Sequence, residues 1–217
     1  MKKLLVVVAL AASSLGFAQS NNEGTIHINL LGGFTFAGSV TDKPDCEGCE
    51  DQDYSFASGT YALNVHYGLN ENMSVGLGLS TGSYLLTVDN LMDSFDIGAT
   101  TMSMTNVSAQ GRYYFVNNDD LNVYGGANLG FGFANDKFGG FDISTDEFKA
   151  SGLTYGLNVG LNYYIWGNVG GLVQLGYDRA SLSGDYTYSD GVDTETTNVK
   201  RGVGGISFMA GLSIKID

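Results

Sequence analysis

The sequence predicts an all-β fold: eight antiparallel strands closed into an up-and-down barrel that crosses a membrane. Three observations predict it. Apolar residues recur at every second position in eight separate stretches, the period that puts alternate side chains on opposite faces of a strand. The connections between these stretches alternate between short polar turns and long acidic segments. Beyond the N-terminal segment no apolar run approaches the roughly 20 residues that a membrane-spanning helix needs, so any crossing must be made by strands. Glycine is frequent and dispersed at 32 residues, and Pro44 is the single proline. Scarce proline suits long paired strands, because proline cannot donate to a ladder.

The chain opens with Lys2 and Lys3, an apolar run from Leu4 to Ala12 and a small-residue end before Gln19. This is the pattern of a secretory signal peptide, too short in its apolar part to span a bilayer as a helix. Cleavage is expected after Ala18, which divides the chain into residues 1–18, the signal peptide, and 19–217, the barrel domain. In the first strand Ile26, Ile28, Leu30, Phe34 and Phe36 alternate with His27, Asn29, Gly33 and Thr35. A long connection is expected from Gly38 to Tyr54. The second strand sets Tyr61, Leu63, Val65, Tyr67 and Leu69 against Thr60, Ala62, Asn64, His66 and Gly68, and Asn70 to Asn72 turns the chain.

The third strand starts with Met73, Val75, Leu77 and Leu79 on one face, but beyond Gly82 its apolar residues Tyr84, Leu86 and Val88 take the other parity. The fourth mirrors this, with Met102 and Met104 out of phase with Val107 to Phe115. Two facing strands that change phase at one height point to bulges or to an apolar plug inside that end. The fourth and fifth strands form the clearest hairpin, with Asn117, Asn118, Asp119 and Asp120 as its turn. On its far side Leu121, Val123, Gly125, Ala127, Leu129, Phe131 and Phe133 alternate with Asn122, Tyr124, Gly126, Asn128, Gly130 and Gly132. After an acidic segment from Asn135 to Lys149, the sixth strand runs from Leu153 to Ile165, Gly167 and Asn168 turn the chain, and the seventh runs from Val169 to Asp178. A last long segment from about Gly184 to Asn198 leads to the eighth strand, Ile206 to Ile216.

Without residues 1–18 the chain carries 8 basic and 23 acidic residues, a formal charge of −15, which excludes a nucleic-acid partner. Seventeen of the acids lie in the four long segments, among them Asp42, Asp51, Asp89, Asp142 and Asp190. Short periplasmic turns alternating with long extracellular loops are the pattern of an even-stranded barrel of the bacterial outer membrane. The polar face decides which way the apolar face points. A soluble barrel would carry Lys and Glu on its polar face. Here that face is Gly, Asn, Ser and Thr, with Arg112, Asp178 and Lys215 almost its only charges, and small uncharged groups fit the lumen of an eight-stranded barrel. About ten residues at ~3.3 Å each, tilted by ~40°, cover the roughly 25 Å of an apolar belt. Aromatics fall at both rims of that belt, Tyr67, Tyr113, Phe115, Tyr163 and Trp166 near the short turns and Phe34, Tyr61, Phe131, Tyr155 and Tyr177 toward the long loops.

The segments GRYYF (111–115) and VYGGANLGFGF (123–133), with the polar turn between them, resemble the middle hairpin of the small outer-membrane β-barrel domain family, which includes OmpA-type transmembrane domains, OmpX and OmpW. The eight-strand pattern extends the resemblance over residues 19–217, and it departs in ending on Ile214-Lys215-Ile216-Asp217 where many such barrels end on an aromatic. The resemblance implies a monomeric integral membrane protein in contact with outer-membrane lipids, lipopolysaccharide and the outer-membrane assembly machinery.

Chemistry-bearing motifs are few. Cys46 and Cys49 share one loop, and an oxidising compartment favours a disulfide over free thiols, with a metal site third because no second Cys or His pair lies near. No D-x-[DN]-x-[DN]-G spacing supports a dedicated calcium site. His27 and His66 have the lumen parity on adjacent strands, where hydrogen bonding in a polar network with Arg112, Asp178 and Lys215 is a better reading than acyl transfer, since lipid substrates approach from outside. No cofactor is expected. The expected role is a non-enzymatic one, structural or through the acidic extracellular loops. The alternative is a narrow channel for small or apolar solutes, and a lipid-active enzyme ranks third.

Overall fold

The computed structural model describes residues 20–44, 51–88, 100–138, 146–189 and 194–217, and in it the alternating stretches pair into one closed sheet. Its strands are β1 (Ile26–Pro44), β2 (Gln52–Asn70), β3 (Met73–Val88), β4 (Thr100–Asn117), β5 (Leu121–Phe138), β6 (Asp146–Trp166), β7 (Val169–Ser189) and β8 (Thr194–Ile216). Each pairs antiparallel with the next, and β8 returns to pair with β1, so the ring has no free edge. The parities separate cleanly. Leu77 and Leu157 on the apolar parity are 67% and 68% exposed, whereas His66, Tyr124 and Asn162 on the other are fully buried. Apolar side chains therefore point out of the ring and the polar parity fills it.

The strands are longer than the sequence suggests. β2 has 19 residues, which at ~3.3 Å each and ~40° of tilt rise roughly 48 Å, about twice the apolar belt. Its large exposed apolar residues stop at Tyr61, so Gln52 to Thr60 stand above the belt as paired strand. Much of the segments 38–54, 135–149 and 184–198, expected as loops, is likewise ladder. The correction has a simple cause. Period-2 hydrophobicity reports lipid on one face, and above the lipid both faces are polar or mixed while the backbone pairing continues.

The phase change in β3 and β4 resolves as a plug. Their register runs unbroken from Met73↔Tyr113 to Leu86↔Thr100, with no bulge, and Tyr84, Leu86 and Met102 are buried inside the barrel. The bulge lies instead in β1, between Thr35 and Gly38 against β2 and between Phe36 and Ser39 against β8, with Ala37 at φ 50°. That extra residue inverts the parity, so that Leu31 points inward below it and Val40 and Asp42 point inward above it. Gly38 sits where a Cβ would come within 2.4 Å of the Phe56 ring, so the ring of β2 packs directly on the bulge from inside. Residues 1–18, the expected signal peptide, and Cys46 and Cys49 lie outside the described residues.

Candidate functional site

The lumen is built in three layers. The floor, at the end of the short turns, is carried by tyrosines on the polar parity. Tyr114 of β4 and Tyr124 of β5 are register partners whose rings meet edge-on at 5.9 Å, and with Leu31, Leu172 and Met209 they form a buried apolar cluster. The Arg112 guanidinium stacks 4.2 Å from the Tyr124 ring centroid, and Tyr124 Oη donates to Gln174 at 3.0 Å. Tyr164 of β6 completes the layer. Tyr124 occupies the space that a glycine leaves free, since at Gly160, its register partner on β6, a Cβ would fall 2.3 Å from the Tyr124 ring.

Beneath this layer residues 20–25 cross the barrel mouth as a strap. Ser20 N donates to the Asn118 carbonyl at 3.1 Å, and the Ser20 hydroxyl bonds the Asn122 side chain. Asn21 N donates to Asn117 Oδ1 at 2.9 Å, while Asn117 Nδ2 returns a bond to the Asn21 carbonyl at 2.7 Å. Asn21 Nδ2 donates to the Asn70 carbonyl at 2.6 Å, which turns its oxygen toward His27 Nε2 at 3.1 Å. His27 must then carry its proton on Nε2 and accept at Nδ1 from Tyr164 Oη at 2.8 Å; Ser213 Oγ lies 3.1 Å from the same oxygen. Each partner fixes the next along this chain.

Above the floor is a chamber of about 110 Å³. Its walls are amides and hydroxyls already engaged with one another: Gln110 Nε2 donates to Asn64 at 3.0 Å and Ser108 at 3.3 Å, and Thr154 donates to Asn106 at 2.7 Å. Asp178 enters from β7 and accepts from Asn128 Nδ2 and from Ser207 Oγ, both at 3.1 Å.

The lid closes the chamber from the extracellular side. Val40, Phe56, Tyr84, Leu86, Met102, Phe148, Leu182 and Val203 form one buried cluster, with the Phe56 and Tyr84 rings 5.1 Å apart. Through it passes a buried ion pair. Arg201 of β8 donates from Nε and Nη2 to the two oxygens of Asp42, each at 2.6 Å, and stacks 4.1 Å from the Phe148 ring centroid. Two parallel N–H···O bonds use the full fork of the guanidinium.

The five lumen residues proposed from sequence separate between these layers. His27 and His66 are register partners in the floor beside Arg112, and both are fully buried. Asp178 faces the chamber, away from them. Lys215 lies at the mouth, 5.6 Å over the Tyr164 ring and 3.6 Å from Asp217. The strap and the Asp42–Arg201 pair were not foreseen. A signal for the tyrosine floor was present, since Tyr114, Tyr124 and Tyr164 break the small-residue rule of the polar parity close to the short turns.

The sequence profile described as outer membrane protein beta-barrel domain matches residues 4–213. Among solved structures the chain is similar to outer membrane protein OprG from Pseudomonas aeruginosa, at 14% identity, 92% of this chain, 99% of that one and a TM-score of 0.67. It is also similar to the outer membrane protease OmpT from Escherichia coli (12%, 88% and 97%, 0.54) and to outer membrane protein AlkL (15%, 93% and 94%, 0.51). No curated protein sequence matches it.

Proposed function

We propose a function from the premise that the chain belongs to the outer membrane protein beta-barrel domain family and lies in the cell outer membrane, with its apolar parity in lipid. In our reading it is a non-enzymatic barrel, sealed at rest, that holds an extension of paired strands above the membrane for contact with extracellular partners. The filling of the lumen at both ends carries this reading: the Tyr114-Tyr124-Tyr164 floor with Arg112, and the Phe56-Met102-Phe148 lid locked by Asp42–Arg201. Water and ions meet two packed layers rather than a bore. The extension supports the surface role, because it is paired strand and presents outward charges such as Lys43, Asp53 and Lys200. A closed ring offers no strand edge for pairing, which supports a monomer among outer-membrane lipids and lipopolysaccharide.

A second reading, a narrow passage for small or apolar solutes, draws on the chamber between the two layers. Planar-bilayer recording separates the two. The sealed barrel gives no steady single-channel steps at neutral pH, while reproducible openings of the unmodified protein would replace it with the passage.

A further inference from the structure

We infer that the lumen chamber is a binding site for a small alkylammonium compound, with the ammonium on Asp178 and the alkyl chain against the underside of the lid. The inward parity of β7 carries Leu172, Gln174, Gly176, Asp178 and Ala180; the others are buried or half-buried, yet Asp178 is exposed. The surface it exposes is turned into the chamber that it lines. Gly156, its register partner on β6, makes that orientation possible, since a Cβ there would fall 2.2 Å from Asp178 Oδ1.

The hydrogen bonds select the sign of the ligand. Both contacts to Asp178 are donated to it, one on each oxygen, which is the pattern of an ionised carboxylate with about half of its roughly four acceptor sites still open. No ion pair engages it among the described residues. Of the amides on the lining, Asn128 donates to Asp178 and Gln110 to Asn64 and Ser108. What the chamber offers is one inward-facing charge on its lining, the Asp178 carboxylate, which attracts an ammonium and repels a carboxylate or phosphate. Arg179 reaches the lining from the outward parity, on the lipid side of the wall.

The second half of the site is apolar. Phe56, Tyr84, Met104 and Val203 line the chamber from the lid. A bare metal cation would leave that surface unused, whereas a short alkyl chain covers it. An apolar cavity of about 150 Å³ holds benzene. At about 110 Å³ this chamber suits a molecule of about four or five non-hydrogen atoms.

The test is ligand-observed NMR on the full chain, refolded in detergent, with n-propylammonium as the probe and 1-propanol, propionate and sodium as comparators. Saturable propylammonium binding is expected, at least tenfold tighter than propanol or propionate and not displaced by equimolar sodium. Asp178→Asn should weaken it at least tenfold while the protein keeps heat-modifiable migration. Ala62→Leu, which fills the chamber and leaves the carboxylate intact, should abolish it. Binding that survives Asp178→Asn, equal binding of propanol, displacement by sodium, or no saturable signal would each overturn the proposal. None of these outcomes depends on whether the barrel conducts.

Discussion

Replacing Arg201 by methionine removes the cation from the Asp42 carboxylate while keeping much of the side-chain volume in the lid. Arg201 is 5% exposed and Asp42 13% by side chain, so the variant leaves a carboxylate enclosed with neither of its two 2.6 Å bonds. Breaking a buried pair in this way costs about 3–5 kcal/mol, most of it the price of an uncompensated charge. The stacking on Phe148 at 4.1 Å is lost as well, and it lies within that figure. Removing both charges is a different case. Asp42→Leu with Arg201→Met turns the pair into more of the surrounding cluster, and such exchanges are neutral or stabilising. The measurement is urea unfolding in lipid vesicles followed by the fluorescence of Trp166, the single tryptophan, which is 76% exposed at the rim near the short turns. Arg201→Met should lose about 3 kcal/mol or more, and the double variant should recover most of it. Losses below about 0.5 kcal/mol in the single variant, or additive losses in the double, would refute the lid as a locked layer.

Other outcomes follow from the same layers. Tyr124→Ala combined with Phe148→Ala removes one large ring from the floor and one from the lid, and should convert a silent barrel into one with steady steps in planar bilayers; neither single variant should do so. Asn117→Ala deletes three bonds that hold the strap, from the Ser20 hydroxyl and the Asn21 amide and to the Asn21 carbonyl, and at about 1 kcal/mol each this should expose residues 20–25 to protease added on the periplasmic side. On the extracellular extension, the hydrogen bond and charge of Asp51 raise the Lys43 pKa above its ordinary value. A raised folded-state pKa means that the contribution of this pair is complete below the ordinary lysine range and is lost as pH rises through the folded value. Titration of 13C-labelled lysine should show the Lys43 resonance unchanged across neutral pH and moving only on the alkaline side, above the ordinary lysine range.

The lipid-facing half of the fold was legible because one physical contrast writes it into the chain. Leu153, Tyr155, Leu157, Val159 and Leu161 meet hydrocarbon, their neighbours meet the lumen, and a period of 2 follows directly. Where that contrast ends, so does the signal. Gln52, Asp53 and Tyr54 pair with β1 as Tyr61 to Tyr67 do, yet read as loop because both faces lack a consistent character. The lid announced itself only as a phase change at Tyr84 and Met102, which bulge and plug explain equally until the register is known. Pairings distant in sequence had no local trace. Asp42 and Arg201 are 159 positions apart and Ser20 and Asn122 are 102 apart, and only closure of the ring brings them together. His27, His66 and Arg112 could be placed in the lumen by parity, and distance in sequence from the short turns sets Arg112 and Lys215 near the periplasmic end and Asp178 nearer the loops.

The orientation of the two faces is tested most directly at one pair of adjacent residues, Leu157 and Asn158. With Cys46→Ser and Cys49→Ser as background, Leu157→Cys and Asn158→Cys are each labelled with an environment-sensitive fluorophore after refolding into vesicles that contain brominated lipid. The barrel described here predicts a blue-shifted, strongly quenched label at 157 and an unquenched one at 158. Quenching at 158 rather than 157, or equal quenching at both, would contradict it.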